Sequence, residues 1–416
     1  MPARPAARGI KPPEPGPIAA YKAILKDYID RRPAGMRARI AIALGKHKSF
    51  VSQLTNPIYP MPVPARHLST IFEICHFSAE ERKSFLKAYT AAHPARAANP
   101  DSDAEGLHPR RKVLSLHEKP AFVARAPLAK GKVALVSGGG SGHEPLHAGF
   151  VGYGMLDAAC PGQVFTSPTP DQISAAAAAI ESGRGVLFIV KNYSGDVMNF
   201  EMAAEMSTGP TATVLVQDDV AVESSTYSTS RRGVAGTLVV EKIVGAAAEA
   251  GADLAACAAL GERVARACAS MGVALTSCTV PAAGKPTFTL GESEMELGVG
   301  IHGEPGRRRV ATRPADAVAA ELVGAILQDL VPRKGEPLLL FLNGFGGTPL
   351  LELYLMFDAA ARRLAAEGLT LARSLVGNFV TSLEMAGCSV TLTRLDEELL
   401  RLWDAPVHTA ALRWGR

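Results

Sequence analysis

Along the first hundred residues the apolar positions recur at helical spacing. In PIAAYKAILKDYIDRR, Ala19, Tyr21, Ile24, Leu25, Tyr28 and Ile29 fall mostly three or four residues apart, which gathers them on one face of a helix. MRARIAIALGKHKSFVSQLTN reads as two short helices around Gly45, and ARHLSTIFEIC and SAEERKSFLKAYTAAH as two more. The last opens on Ser78 with Glu81 three positions on, the capping-box spacing. A small all-α domain is therefore predicted over residues 18–95. The preceding residues, 1–17, are rich in Pro, Ala and Arg and read as a disordered tail; 96–112, polar and rich in Pro and Asp, reads as a linker.

Beyond the linker the pattern changes to short apolar runs, KVALVS, GVLFIV, ATVLVQ, PLLLFLN and SVTLTRL, each suited to a buried strand. Between them lie PDQISAAAAAIESG, NFEMAAEMST, GTLVVEKIVGAAAEAG, ACAALGERVARACASM and PADAVAAELVGAILQDLV, all helical in pattern. Such alternation predicts an α/β class in which helices cover the sheets, and its length suggests two domains, 113–270 and 271–416.

Composition narrows the function. A hydrophobic content of 47% with 20% charged residues fits a soluble protein with a large core, and a net charge of +4 over 416 residues is no nucleic-acid footprint for the whole chain. The charge is uneven, however. Eleven of the first fifty residues are Lys or Arg against Glu14, Asp27 and Asp30, so a polyanion partner is worth considering only there. The six cysteines are scattered without a CxxC pair, which favours free, buried thiols in a cytoplasmic protein over a disulfide framework or a zinc site. No apolar run suggests a secretory leader or a membrane span.

Three dense motifs carry candidate chemistry. VALVSGGGSGHEP reads as a buried strand entering a glycine-rich loop that delivers His143. Its Gly138, Gly140 and Gly142 match neither the P-loop nor the dinucleotide spacing, so a phosphate or cofactor contact and a plain tight turn both stand as readings. VKNYSGDVMNF places Lys191, Asn192 and Asp196 in a loop at the end of a strand, where open α/β sheets bind ligands. EMELGVGIHGEPG presents His302 between glycines that let a small ligand approach the backbone. A lone loop histidine is most often structural; two of them, with an Asp beside a Lys, favour a site. Asp218 and Asp219, adjacent on a strand end, point apart and read as structural or helix-capping rather than as a metal pair.

SGGGSGHEPLHAGFVGYGML, CPGQVFTSPTPDQ, VKNYSGDVMNFE, DDVAV, RRGVAGT, CTVPAAGKP, EMELGVGIHGEPG, GGTPLLELY and DAPVHTAALRWG, in this order over residues 113–416, resemble the dihydroxyacetone kinase family, in particular its substrate-binding K subunit. The resemblance implies two α/β domains of that type. It implies that His302 holds a short ketose, such as dihydroxyacetone, as a hemiaminal, that His143 is the general base, and that Asp196 binds the substrate hydroxyl. Lys191 and the segment Gly140, Ser141 and Gly142 would contact substrate. It further implies that no metal or cofactor is held by this chain itself. ADP or ATP with Mg would sit on a separate L-type subunit, recharged in phosphotransferase-coupled systems by an M-type subunit, and the K-type chain would be a homodimer. The N-terminal helical domain departs from the family pattern.

Within that domain IAIALGKHKSFVSQLTNPIYPMPVPARHLSTIFEIC resembles a repressor-like helix-turn-helix. The resemblance would turn Ser49, Ser52 and Gln53 toward base edges and Lys46 and Lys48 toward phosphates. An oligomerisation or docking module with a solvated basic face is the alternative. For the whole chain, a kinase subunit is the first reading, and a transcriptional regulator with a ketose-binding sensor the second.

Overall fold

The computed structural model of the chain describes residues 16–44, 46–59, 62–64, 67–93, 114–221, 228, 230–304 and 306–415. The expected linker, Gly45 and all but the last two residues of the expected tail lie outside these. The chain divides into two compact units at residue 111.

The N-terminal unit contains α1 (Pro17–Asp30), α2 (Met36–Ala43), α3 (Lys48–Thr55), α4 (Leu68–Ile74) and α5 (Ala79–Ala92). Its core is the apolar face read from the sequence, with Tyr21, Leu25, Ile29, Ile40, Val51, Ile71, Phe85 and Tyr89 buried together. Tyr21 packs edge-on against Phe85 at 5.8 Å. The Ser78 hydroxyl accepts the Glu81 N–H at 3.1 Å while the Glu81 carboxylate accepts the Ser78 N–H at 2.9 Å, so the capping box forms. Lys22 is fully buried yet satisfied, its ammonium donating to the Gln53 and Tyr59 carbonyls at 3.1 and 2.9 Å.

The second unit is built on fifteen strands among the described residues: β1 (Leu114–Glu118), β2 (Ala121–Arg125), β3 (Ala134–Ser141), β4 (Gly152–Tyr153), β5 (Ala158–Val164), β6 (Val186–Lys191), β7 (Thr211–Val216), β8 (Cys268–Ala274), β9 (Glu294–Leu297), β10 (Arg308–Ala311), β11 (Pro337–Gly344), β12 (Thr370–Gly377), β13 (Gly387–Arg394), β14 (Val407–Thr409) and β15 (Arg413–Trp414). One sheet runs β1-β2-β5-β3-β6-β7, with β5, β3, β6 and β7 parallel; the other runs β10-β9-β8-β13-β11-β12. A third, small sheet, β15-β14-β4, ties the C-terminal strands back to the first half through His408 opposite Tyr153. The helices are α6 (Pro170–Ile180), α7 (Ser194–Met206), α8 (Gly236–Glu249), α9 (Leu254–Ala267), α10 (Ala315–Leu330), α11 (Leu350–Ala366) and α12 (Glu397–Asp404).

Helix α8 is buried on every side from Gly236 to Ala248, as its almost wholly apolar composition requires. One continuous core runs from Leu135 and Leu187 through Leu238 and Ile243 to Leu339 and Phe341. The division drawn at residue 270 falls inside β8. There the sequence pattern misleads: ACAALGERVARACASM reads as one helix, but the chain leaves α9 at Ala267 and continues as β8. Its small residues carry little strand preference, and antiparallel pairing with β13, Gly387 opposite Ala274 through Thr393 opposite Cys268, decides the conformation.

All six cysteines are buried and free. Among the described residues no helix is long and apolar enough to cross a membrane.

Candidate active site

The glycine run is not a loop. Gly138, Gly139 and Gly140 belong to β3 and pair with β5, beyond the point where the β3–β6 ladder ends at Ser137, and the turn begins at Gly142, whose φ of +103° suits glycine. Gly139 serves another need: a Cβ there would lie 2.2 Å from the Lys191 ammonium nitrogen. The run thus lets a buried cation pass beneath the strand end.

His143 follows the turn and is buried. Its Nδ1 lies 2.8 Å from the Thr381 carbonyl, which can only accept, so Nδ1 carries the hydrogen and Nε2 the lone pair. That Nε2 is buried without a hydrogen-bond partner. Burial, with His302 and Lys191 nearby, holds the imidazole well below its ordinary pKa. His143 is therefore neutral at pH 7, with Nε2 as an acceptor.

His302 lies in the loop after β9. Its Nδ1 is 3.0 Å from Glu304 Oε1, and its backbone N–H donates to Glu304 Oε2 at 2.9 Å. Burial works to raise the Glu304 pKa, but His302 and the Arg232 guanidinium outweigh it and bring it to about 2. Glu304 is therefore a carboxylate that accepts from Nδ1–H, so that in the neutral form of the ring the lone pair lies on Nε2, the nucleophilic tautomer. The ring is caged edge-on by His143 at 4.7 Å, Phe165 at 5.2 Å and Tyr193 at 4.5 Å, while Phe165 stacks on His143 at 4.9 Å. Behind it Arg232, fully buried, donates to Asp219 Oδ2 at 2.8 Å and to the Gly298 carbonyl at 2.7 Å.

Lys191 is the last residue of β6 and Asp196 lies in the first turn of α7, so neither occupies the loop expected for them. The Lys191 ammonium donates to the Gly138 carbonyl at 2.9 Å and to His147 Nε2 at 2.8 Å, and stands 3.5 Å from Asp196 Oδ2. Asp196 Oδ1, also buried, has no partner. Two orphaned acceptors, His143 Nε2 and Asp196 Oδ1, and the Nε2 lone pair of His302 thus belong to one small constellation. Buried polar atoms without partners are unfavourable, and a polar ligand placed between these three would satisfy them.

Ser141 spends its hydroxyl on the Gly162 carbonyl at 2.7 Å, a bond that pins β3 to β5. Asp218 accepts the Val234 and Gly236 N–H groups at the start of α8, and Asp219 pairs with Arg232, so these two carboxylates are structural, as read from the sequence. Among the described residues no cluster of three His, Cys, Asp or Glu side chains is arranged to hold a metal. Sequence reasoning missed Glu304, Tyr193, Phe165, Thr381, His147 and Glu241. The first two sit inside GIHGEPG and VKNYSGD and were within reach; Thr381, 238 residues from His143, was not. In the N-terminal unit Lys46, Lys48, Ser49 and Ser52 are exposed and Gln53 half-buried, all on or beside α3, whose first turn is capped by His47 accepting the Ser49 N–H at 3.3 Å.

Comparison with known proteins identifies the family. The Dak1 domain is matched over residues 105–411. The chain is 48% identical over 345 residues to the dihydroxyacetone-binding subunit DhaK of the PEP-dependent dihydroxyacetone kinase of Escherichia coli, covering 76% of this chain and 97% of that one. Among solved structures, the dihydroxyacetone kinase operon co-activator DhaQ superposes with a TM-score of 0.68 at 31% identity, over 79% of this chain and 97% of that one. The dihydroxyacetone kinase of C. freundii superposes with a TM-score of 0.65 at 34% identity, over 76% of this chain and 58% of that one. With the motifs in order, the domain matched across most of its length and the two-sheet fold shared, the chain belongs to the Dak1 family of dihydroxyacetone kinases.

Proposed function

We propose that this chain is the ketose-binding subunit of a cytoplasmic dihydroxyacetone-type kinase, holding dihydroxyacetone or a similar short ketose on His302 for phosphorylation by a separate, nucleotide-bearing L-type subunit. The observation that carries the reading is the orphaned pair His143 Nε2 and Asp196 Oδ1 beside a histidine whose other nitrogen is tied to an ionised carboxylate. His302 Nε2 attacks the ketone carbon; the N–C bond forms, the C=O π pair moves to oxygen, which takes up a proton from solvent to give a hemiaminal, and the positive charge left on the ring is held through Nδ1–H against the Glu304 carboxylate. A polyol of equal size has no carbonyl and gains no such bond. His143 Nε2 accepts the proton of the terminal hydroxyl as its oxygen attacks phosphorus, and Asp196 Oδ1 accepts a hydrogen bond from the same end of the substrate. ADP or ATP with Mg on the partner supplies the phosphoryl group and its charge neutralisation; an M-type subunit would recharge it in a phosphotransferase relay. Exposed Leu351, Tyr354 and Leu355 along α11 support pairing of two copies.

The test is a 13C NMR titration with dihydroxyacetone labelled at the carbonyl. The wild-type protein converts the ketone resonance to that of a tetrahedral carbon, and His302→Ala does not. An unchanged adduct in the variant sinks the covalent assignment.

A second reading, DNA binding through α3, has its own support. Lys46, Lys48, Ser49 and Ser52 form an exposed polar, basic edge on a short helix that follows another, and the DhaQ relative is described as an operon co-activator. Retention of the His143 and Asp196 pair favours turnover as the main activity, since a sensor needs His302 more than it needs a general base.

A further inference from the structure

Helix α8 carries a carboxylate, Glu241, at a position with no exposure to solvent. Its Oε1 lies 2.6 Å from His147 Nδ1, and His147 Nε2 lies 2.8 Å from the Lys191 ammonium. Burying such groups is unfavourable by several kcal/mol unless each finds its partner, and apolar residues would fill the space at least as stably. The chain of contacts has one direction. An ammonium has only donors, so Nε2 accepts from Lys191, Nδ1 carries the hydrogen, and Glu241 Oε1 accepts it. This holds whether Glu241 is ionised or not; burial pushes it up to about 8, and its Oε1 accepts in either form. His147 stays neutral, held well below its ordinary pKa by burial, Lys191 and His143. The remaining groups facing Lys191 are the Gly138 carbonyl and Asp196.

We propose that Glu241 and His147 are positioning residues for ketose binding: they orient an imidazole lone pair onto Lys191, which fixes the ammonium against Asp196 and leaves Asp196 Oδ1 free for a substrate hydroxyl. The inference rests on the ketose reading above. Neither residue touches substrate. Both act through Lys191, in the space that Gly139 keeps open.

The test uses the full chain. Titration calorimetry with dihydroxyacetone should give affinities about tenfold or more weaker for Glu241→Leu and His147→Leu, which leave a buried donor unpaired, and an affinity within about threefold of wild type for Glu241→Gln, whose amide oxygen still accepts from Nδ1–H. A merely structural carboxylate would not give this rescue by the amide at equal thermal stability. Wild-type affinity in a folded Glu241→Leu or His147→Leu protein overturns the proposal. Where those variants fail to fold, 15N NMR of histidine-labelled wild-type protein decides: the Nδ1–H tautomer of His147 is expected, and the Nε2–H tautomer overturns it. Failure of the wild-type protein to bind dihydroxyacetone would refute the ketose reading, whereas the tautomer test addresses the chain of contacts by itself.

Discussion

Replacing Glu304 with Gln removes one negative charge and keeps the shape. Glu304 is buried, accepts from both His302 Nδ1 and the His302 backbone N–H, and faces Arg232; these partners bring its pKa from the ordinary 4.5 to about 2. At about 1.36 kcal/mol per pH unit, that separation corresponds to about 3 kcal/mol of preference for the charged form in the folded protein. Because the folded value lies below the unfolded one, the stability is fully present above about pH 4.5 and is lost as the pH falls toward 2. Glu304→Gln should therefore be less stable than wild type at pH 7, by at most about 3 kcal/mol because the His302 part of the lowering belongs to the charged ring, and the gap should shrink as the pH is lowered through 4 toward 3. Urea unfolding of both proteins at each pH, followed by far-UV circular dichroism, measures it. The carbonyl-labelled ketose then reports the function, since the weaker hold on Nδ1–H should lower adduct occupancy. Equal stability at pH 7, or a gap that is the same at pH 7 and pH 3, would refute the assignment of Glu304 as the charged anchor of His302.

His143→Ala should retain the ketose adduct while turnover with an L-type partner falls by about two orders of magnitude or more, the range expected for a lost general base; full turnover removes His143 from the mechanism. Gly139→Ala places a methyl 2.2 Å from the Lys191 nitrogen, so the buried cation must move. Such displacement should destabilise the protein by about 3 kcal/mol or more in a denaturant titration, and a wild-type midpoint would contradict it. DNA binding, if carried by α3, should weaken steeply between 50 and 200 mM salt, on the order of tenfold per few phosphate contacts. It should also be lost in a chain starting at Gly106; undiminished binding by that shorter chain would rule out the helix-turn-helix assignment.

His302 and Glu304 lie two residues apart in one motif, so their partnership is a local property of GIHGEPG. The same holds for the capping box of Ser78 and Glu81, and for the strands β6 and β11, whose unbroken apolar runs have nowhere to go but a sheet covered on both faces. Short-range spacing and side-chain chemistry suffice for such features. The α/β class, the helical N-terminal unit and the candidate histidines were legible for that reason.

Other features depend on pairings that no local pattern encodes. Whether CASMGVA extends α9 or forms β8 is decided by β13, more than a hundred residues later, because small residues are nearly indifferent between helix and strand. The tautomer of His143 is set by a carbonyl at Thr381, and Gly139 of β3 owes its identity to a lysine at the end of β6. Sequence alone determined which groups could do chemistry. Only the tertiary structure decided which nitrogen of His143 is free to do it, because that choice is made by a carbonyl brought in from a distant loop and shielded there from water.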